Sequence, residues 1–338
     1  MTLDQRIQLM VQLGTYLNSG GEFLDAVMHR TEYNNGWLTK ENCKKAAGAI
    51  AGNYLQAAAL KKWAQQYQLS DNSRPLKIGV VMAGNIPLVG FHDLLAVFLS
   101  GNEAIIKLSD KDKYLMPHLI QKLISWDKRA ASCFQLVDKL AGFDAVIATG
   151  SNNSARYFEQ YFGNYPNIIR KSRNGIAILD GTESRADLYA LGEDVFSYFG
   201  LGCRNVSKLY VPTDYDFDPL LEALHEYRNI ILNNKYKNNF DYNYAMYLLN
   251  KVPHKANGCI ILIENEAIPS RIASLHYEFY DKADNLVTLL QKSKQEIQCI
   301  VGRELLSGIS MIPFGKAQQP ELTDYADGID TMTFLKQL

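Results

Sequence analysis

From its first residues the chain sets apolar side chains at helical spacing, and later it changes period. Leu3, Ile7, Met10, Val11 and Leu17 recur on one helical face, and Thr2 with Gln5 fits a capping box ahead of them, so the chain opens on a helix. A second helical stretch, rich in Ala, Lys and Gln, runs from about Thr39 to Leu69, and Asp71, Asn72, Ser73 and Pro75 mark its exit. Residues 1–70 thus read as a helical preface. From Leu76 the pattern becomes short apolar runs, LKIGVVMA, EAIIKL and DAVIATG, separated by one helix ending near Gly101 and another across Tyr114 to Trp126. GIAILD, SKLYVP, CIILIE, IASLHYEFY and EIQCIV continue the series. Strands alternating with helices predict an α/β protein with a doubly wound parallel sheet, followed by a second α/β unit. A boundary near Asp180 divides the remainder into 71–180, 181–315 and a short segment 316–338.

Composition narrows the class. A chain of 338 residues is long enough for two domains, and 47% hydrophobic with 21% charged residues is the balance of a globular enzyme. Its 35 basic and 36 acidic side chains nearly cancel, which argues against nucleic acid or an anionic membrane as partner. Cys43, Cys133, Cys203, Cys259 and Cys299 stand singly, without the paired spacing of a zinc site, and read as reduced thiols of a cytoplasmic protein. The six histidines show no ligand spacing either, so no metal is expected. Charges interrupt the apolar pattern of MTLDQRIQLMVQLG, unlike a signal peptide, and no segment approaches the roughly 20 apolar residues of a membrane span.

Candidate chemistry gathers where strands end. Gly84, Asn85 and Pro87 follow the first strand and precede a helix, the place where ligands meet a parallel sheet; the stretch is neither a Walker A loop nor a three-glycine dinucleotide fingerprint. Lys107, Ser109 and Asp110 leave the next strand, either as ribose or phosphate contacts or as a solvated strand end. Thr149, Gly150 and Ser151 lead into a helix start that could receive a pyrophosphate, and Ser151 reads equally as an ordinary N-cap. Cys203 sits in YFGLGCRNVSKLYVP beside Gly200 and Gly202, ahead of an apolar strand, whereas the other four cysteines fall in helical or strand patterns where a thiol packs as a small hydrophobe. His92 follows the Asn85 turn, a position more usual for a structural histidine. No Gly-x-Ser-x-Gly elbow is present, which disfavours a serine hydrolase.

Taken in order, these segments resemble the aldehyde dehydrogenase superfamily, and within it the fatty acyl-CoA reductase branch, the LuxC type of bacterial bioluminescence. GNIPLVG is similar to that superfamily's Trp-Asn-Phe-Pro turn, SGNEAIIKLSD to its Ala-Gly-Asn…Lys-Pro-Ser-Glu strand, ATGS to its Phe-Thr-Gly-Ser loop, and GLGCRNVSKLYV to its Gly-Gln-x-Cys segment. The likeness runs from about Leu76 to Phe334 and includes PFGKA…DYADGIDTM near the C-terminus. It implies an aldehyde-dehydrogenase-like fold: a doubly wound cofactor domain over 71–180, a smaller catalytic domain over 181–315 and a closing segment over 316–338.

The resemblance also implies roles. Cys203 matches the nucleophile, and Asn85 the amide that joins the Cys203 N–H in an oxyanion hole. Lys107 and Ser109 match ribose contacts, Thr149, Gly150 and Ser151 the loop beneath the cofactor, and Glu264 the start of a shortened Glu-x-Phe-Gly-Pro segment beside the nicotinamide ribose. Asp110 matches a carboxylate that favours NADH, against the NADPH expected of the reductase branch. Where oxidising members carry a water-activating Glu, this chain reads IIRKSRNGIAILD, placing Arg170, Lys171 and Arg173 there. The implied reaction is reduction of an acyl-CoA or other acyl thioester to an aldehyde through an acyl-cysteine. A homo-oligomer or an acyl-transfer partner protein would fit it, although no counterpart of the superfamily's dimerising hairpin precedes Leu76. Two alternatives stand beside it: an oxidative aldehyde dehydrogenase, and a non-catalytic nucleotide-binding scaffold.

Overall fold

The capping box expected at the N-terminus is present in the computed structural model, which describes the backbone of residues 1–303 and 308–338 and, within them, all side chains but those of 283 and 284. Thr2 Oγ1 accepts from the Gln5 N–H at 3.3 Å, and the Thr2 N–H donates to Gln5 Oε1 at 3.0 Å, starting α1 (Leu3–Ser19). Next comes α2 (Glu22–Asn34), a helix the periodicity does not predict, which buries Leu24, Met28 and Thr31. The single helix expected over 39–69 is two, α3 (Lys40–Ala49) and α4 (Ala57–Gln66), joined by a π-helical turn at Ile50–Tyr54. Gly48, Gly52 and Asn53, poor helix formers, lie where the regular helix gives way.

The chain forms two compact units, residues 1–172 with 320–338, and residues 173–319. In the first, β1 (Lys77–Val81), α5 (Phe91–Leu99), β2 (Glu103–Lys107), α6 (Leu115–Trp126), β3 (Phe134–Leu136), β4 (Ala145–Thr149), α7 (Asn152–Phe162) and β5 (Asn167–Arg170) build a parallel sheet of order β3-β2-β1-β4-β5. Ile78, Val80, Ala104, Ile106, Ala145 and Ile147 face the N-terminal helices, α5 and α6 in one large core. Alternate residues Val81, Val146 and Ala148 face α7 and Leu140 in a smaller one. The β3 to β4 connection, 137–144, has no helix; Leu140 lies over Gly79, where a Cβ would stand 2.7 Å from Leu140 Cδ2.

The second unit holds β6 (Asn174–Ile178), α8 (Arg185–Phe196), β7 (Val206–Pro212), α9 (Asp218–His225), α10 (Asn234–Leu249), β8 (His254–Ala256), β9 (Ile261–Glu264), β10 (Ser274–Tyr280), α11 (Ala283–Lys292) and β11 (Ile297–Val301). Its sheet runs β11-β6-β7-β10-β9-β8, parallel except for β8. The units part at 172/173 rather than near 180 because β6 pairs with β7 and β11.

The segment 316–338 divides too. Residues 320–338 return to the first unit, where Tyr325, Met332 and Leu335 join the large core and α12 (Thr331–Gln337) ends the chain. Trp63 Nε1 donates to Tyr325 Oη at 2.9 Å, Tyr325 Oη to Tyr67 Oη at 2.9 Å, and Tyr67 Oη to Asp330 Oδ2 at 2.7 Å. Each buried polar group in that chain thus has a partner, the condition for burying it at all.

Candidate functional site

In the first unit the sheet order reverses between β1 and β4, and the crevice outside the strand ends at such a switch point is where α/β sheets take ligands. Register sets Lys107 beside Val81 and Val81 beside Ala148, so Lys107 shares the α7 face and its Cα lies about 10 Å from that of Ala148, two strand spacings away. Beyond these, Gly84 packs on Ser109, where a Cβ would meet Ser109 Oγ at 2.5 Å. The half-buried Asn85 follows. Its turn is held by Asp112, whose Oδ2 accepts from the Leu88 N–H at 3.1 Å, with Leu88 in the left-handed region at φ 57°. Burial raises the Asp112 carboxyl, and the hydrogen bonds from the Leu88 and Leu115 backbone only partly offset that.

Across the crevice Thr149 ends β4, and Ser151 caps α7 by accepting from the Ser154 N–H at 3.2 Å. Gly150 passes so close to this helix that a Cβ would stand 2.8 Å from both Ser154 Cβ and the Phe158 ring. Asp110 is solvent-exposed and paired with Lys113 at 3.0 Å; that hydrogen bond holds its carboxyl below the usual range, and Lys107 adds to the effect. Two glycine-bared strand ends, an ammonium, hydroxyls and a helix start suit the ribose and diphosphate of a nucleotide.

In the second unit Cys203 stands on the second residue of a four-residue turn that feeds β7. The Asn205 N–H donates to Gly202 O at 3.0 Å, while Asn205 Oδ1 accepts from the Gly202 N–H at 2.8 Å. Asn205 Nδ2 reaches two of the last carbonyls of α8, Asp194 at 3.0 Å and Val195 at 3.3 Å, and that of Ser197 just past it at 2.9 Å. Between helix and turn, Tyr198, Phe199 and Gly200 run left-handed at φ 53°, 59° and 74°; for the two non-glycines that conformation costs about 1–3 kcal/mol each. Gly175 in β6 lets Arg204 approach, since a Cβ there would lie 2.6 Å from Arg204 O. On the far side Arg204 Nε donates to Ala317 O at 2.5 Å, and the buried Asp194 carboxylate accepts from Gly315 and Ala317 at 2.6 and 2.9 Å.

Cys203 is half-buried, as is Cys133, whereas Cys43, Cys259 and Cys299 are buried; none forms a disulfide. Burial pushes the Cys43 and Cys259 thiols up to about 12 and raises Cys133 as well. Cys259 lies just before β9, in a loop rather than a strand. Glu264 ends β9 and pairs in register with Tyr277, level with Leu209, about 10 Å along β7 from its start at Val206. Past it the chain doubles back, and three successive carbonyls, Glu266, Ala267 and Ile268, accept from Lys208 Nζ at 2.6 Å, His276 Nδ1 at 2.8 Å and Ser207 Oγ at 2.7 Å. Lys208 also pairs with Glu278 although its own side chain is fully buried.

The cations expected near the nucleophile have other duties. Arg170 is buried in the first unit, 2.5 Å from Asp93 and donating to Thr331 Oγ1 at 2.7 Å; Lys171 pairs with Glu159 at 3.0 Å; Arg173 donates to Ile297 O at 3.4 Å. His92 is structural, its Nε2 bonded to Leu322 O at 2.9 Å and its ring packed on Trp63, Tyr54 and Tyr325. Among the described residues no group of three or more acidic, histidine or cysteine side chains could hold a metal ion, and no helix is long and apolar enough to cross a membrane. Asn205 and Lys208 went unmarked in the sequence; a polar pair, Ser207 and Lys208, opening an apolar strand was the one signal of the latter.

Comparison with known proteins bears on both units. The family model for acyl-CoA reductase (LuxC) matches residues 32–228, more than half of the chain. A long-chain acyl-protein thioester reductase of Photobacterium leiognathi is 24% identical over 249 residues, 67% of this chain and 52% of that protein; the chain spans about half the length of the curated relatives it matches. Among solved structures, an aldehyde dehydrogenase of Physcomitrella patens aligns with TM-score 0.69 and 11% identity, covering 100% of this chain and 84% of that one. An indole-3-acetaldehyde dehydrogenase of P. syringae, solved with NAD+, aligns with TM-score 0.62 and 16% identity over 86% of this chain and 70% of that one. The fold is that of the aldehyde dehydrogenases.

Proposed function

The chain belongs to the acyl-CoA reductase (LuxC) family, and on that footing we propose that it reduces an acyl thioester to an aldehyde, with Cys203 as acyl acceptor. The observation that carries the reading is the Cys203 turn, a half-buried thiol presented by a doubly closed turn at the head of a parallel strand. In the first half-reaction Cys203 Sγ bonds to the thioester carbon, and the donor's carbon–sulfur bond breaks to release its thiol. Asn85 donates its carboxamide N–H to the carbonyl oxygen as negative charge develops there. A reduced nicotinamide cofactor, when bound, supplies the hydride that takes the acyl carbon to the aldehyde level. Release of the aldehyde returns Cys203 to the thiol.

Lys107, Ser109, Thr149, Gly150 and Ser151 are the residues that would hold the cofactor. Asp110 is occupied by Lys113 and flanked by Lys107, which supports NADPH over NADH because a 2′-phosphate would meet a compensated carboxylate. Glu264, the last residue of β9, would stand beside the nicotinamide ribose. With positions 170, 171 and 173 cationic and committed elsewhere, none can deprotonate water, which favours reduction over oxidation to an acid. The relative's name, with its acyl-protein thioester, makes a protein-borne thioester a donor to compare with acyl-CoA.

The test is cofactor oxidation across acyl-CoA chain lengths, for the wild type and Cys203→Ala. Expected are chain-length-dependent turnover and a covalent acyl mass on the wild type, both lost in Cys203→Ala, which still binds NADPH. An acyl adduct of equal yield on Cys203→Ala would overturn the assignment.

A further inference from the structure

We propose that Asn205 is a positioning residue that sets Cys203 for acyl transfer, an inference that rests on the reading of Cys203 as acyl acceptor. One carboxamide performs two tasks. Its Oδ1 and its own backbone N–H close the Cys203 turn from both sides, at 2.8 and 3.0 Å, fixing the direction in which the second turn residue projects. Its Nδ2 meets the carbonyls of Asp194 and Val195 at the end of α8, groups that a helix end leaves without intrahelical partners, and of Ser197 just beyond.

Asn205 is 1% exposed, so water cannot replace either set of bonds. After the extended Ser197 that ends α8 comes the left-handed run Tyr198–Phe199–Gly200, and Asn205 ties the two sides of that strained stretch together. The nucleophile's location therefore follows α8 and β7, two rigid elements, rather than the loop between them. Position matters because misplacement by about 1 Å can cost roughly a hundredfold in rate.

Chemistry restricts this position to an amide. Aspartate would keep the acceptor for Gly202 but turn a carboxylate oxygen toward three carbonyls, while serine can serve Gly202 or α8 but not both. Asn205 has no proton to give and takes none, so its effect falls on the rate of forming the Cys203–acyl bond rather than on substrate or cofactor affinity.

Asn205→Ser and Asn205→Asp are compared with the wild type and Cys203→Ala. Three measurements are made: single-turnover acylation by acyl-CoA, NADPH binding by fluorescence, and iodoacetamide labelling of each cysteine by mass spectrometry. We expect acylation to fall about a hundredfold in Asn205→Asp and about tenfold in Asn205→Ser, with KM for acyl-CoA changed by less than about threefold. NADPH binding should be unchanged, Cys203 labelling should slow relative to Cys133, and Cys259 and Cys299 should stay protected. Acylation within about threefold of wild type in both variants overturns the proposal, as does rapid labelling of Cys259 and Cys299, which would mark a structural role in the second unit as a whole. Acylation of Cys203→Ala would instead remove the nucleophile reading and this proposal together. A dead Cys203→Ala beside fully active Asn205 variants would remove only the positioning role.

Discussion

The Asp93–Arg170 pair offers a sharp test of how the first unit is held together. Both side chains are nearly inaccessible, at 8% and 4%, and they meet at 2.5 Å, with Thr331 Oγ1 accepting the second guanidinium bond at 2.7 Å. Asp93→Ala would leave a guanidinium buried with Thr331 as its remaining partner. Breaking one side of a buried ion pair costs about 3–5 kcal/mol. The unit has 191 residues, a size at which each kcal/mol moves Tm by about 2–4 °C, so Asp93→Ala should melt roughly 6–20 °C lower. Exchanging both partners for apolar residues, Asp93→Leu with Arg170→Met, should recover most of this, because the desolvation cost of the two charges disappears with them. Trp37, Trp63 and Trp126, the chain's three tryptophans, all lie in the first unit, so a tryptophan-fluorescence melt reports on it selectively. A shift under about 3 °C for Asp93→Ala, or a double variant that melts as low as the single, would refute the reasoning.

Asn85→Ala should lower kcat for acyl-CoA reduction by about a hundred- to a thousand-fold with little change in KM, and a change confined to KM would contradict the oxyanion role. Iodoacetamide at pH 8 should modify Cys203 and Cys133 well before Cys43 and Cys259, whose thiols, raised to about 12, hold roughly one part in ten thousand as thiolate; peptide mass mapping decides this. Burial keeps His92 below the ordinary histidine range, so the folded unit refuses a proton that the unfolded chain takes up. Stability from this group is fully present above about pH 6.5 and falls as the pH drops, by up to about 1.4 kcal/mol per unit. His92→Gln should flatten that slope in tryptophan-fluorescence melts.

Most of the strands that the sequence revealed are central ones, buried on both faces; EIQCIV, the edge strand β11, is the exception. KIGVV, AIIK, AVIAT and GIAI are mainly apolar, and SKLYVP becomes so after its polar Ser207 and Lys208, because both faces of these strands are covered. The strands it concealed are edges or short: β3 has three residues, of which Gln135 and Leu136 are exposed, β8 has three, and Ile168 and Ile169 of β5 are bounded by Asn167 and Arg170. Cys203 stood out because glycines flank it. Asn205 did not, since an asparagine in a loop reads as a turn former and its partners lie up to 11 residues back, in a helix whose end could not be foreseen. Arg170 looked like part of a reaction centre because its partner Asp93, 77 residues away, was invisible to local pattern.

The second unit is a single uninterrupted stretch of chain, 173–319, whereas the first is assembled from two pieces. During synthesis all of 173–319 can fold as soon as it emerges, while the first unit waits for Leu322, Tyr325, Met332 and Leu335 to fill its core. Until then Arg170 and Trp63 lack the Thr331 and Tyr325 oxygens they bond to in the finished protein. The nascent first unit is therefore the part whose apolar surface waits longest for its partners.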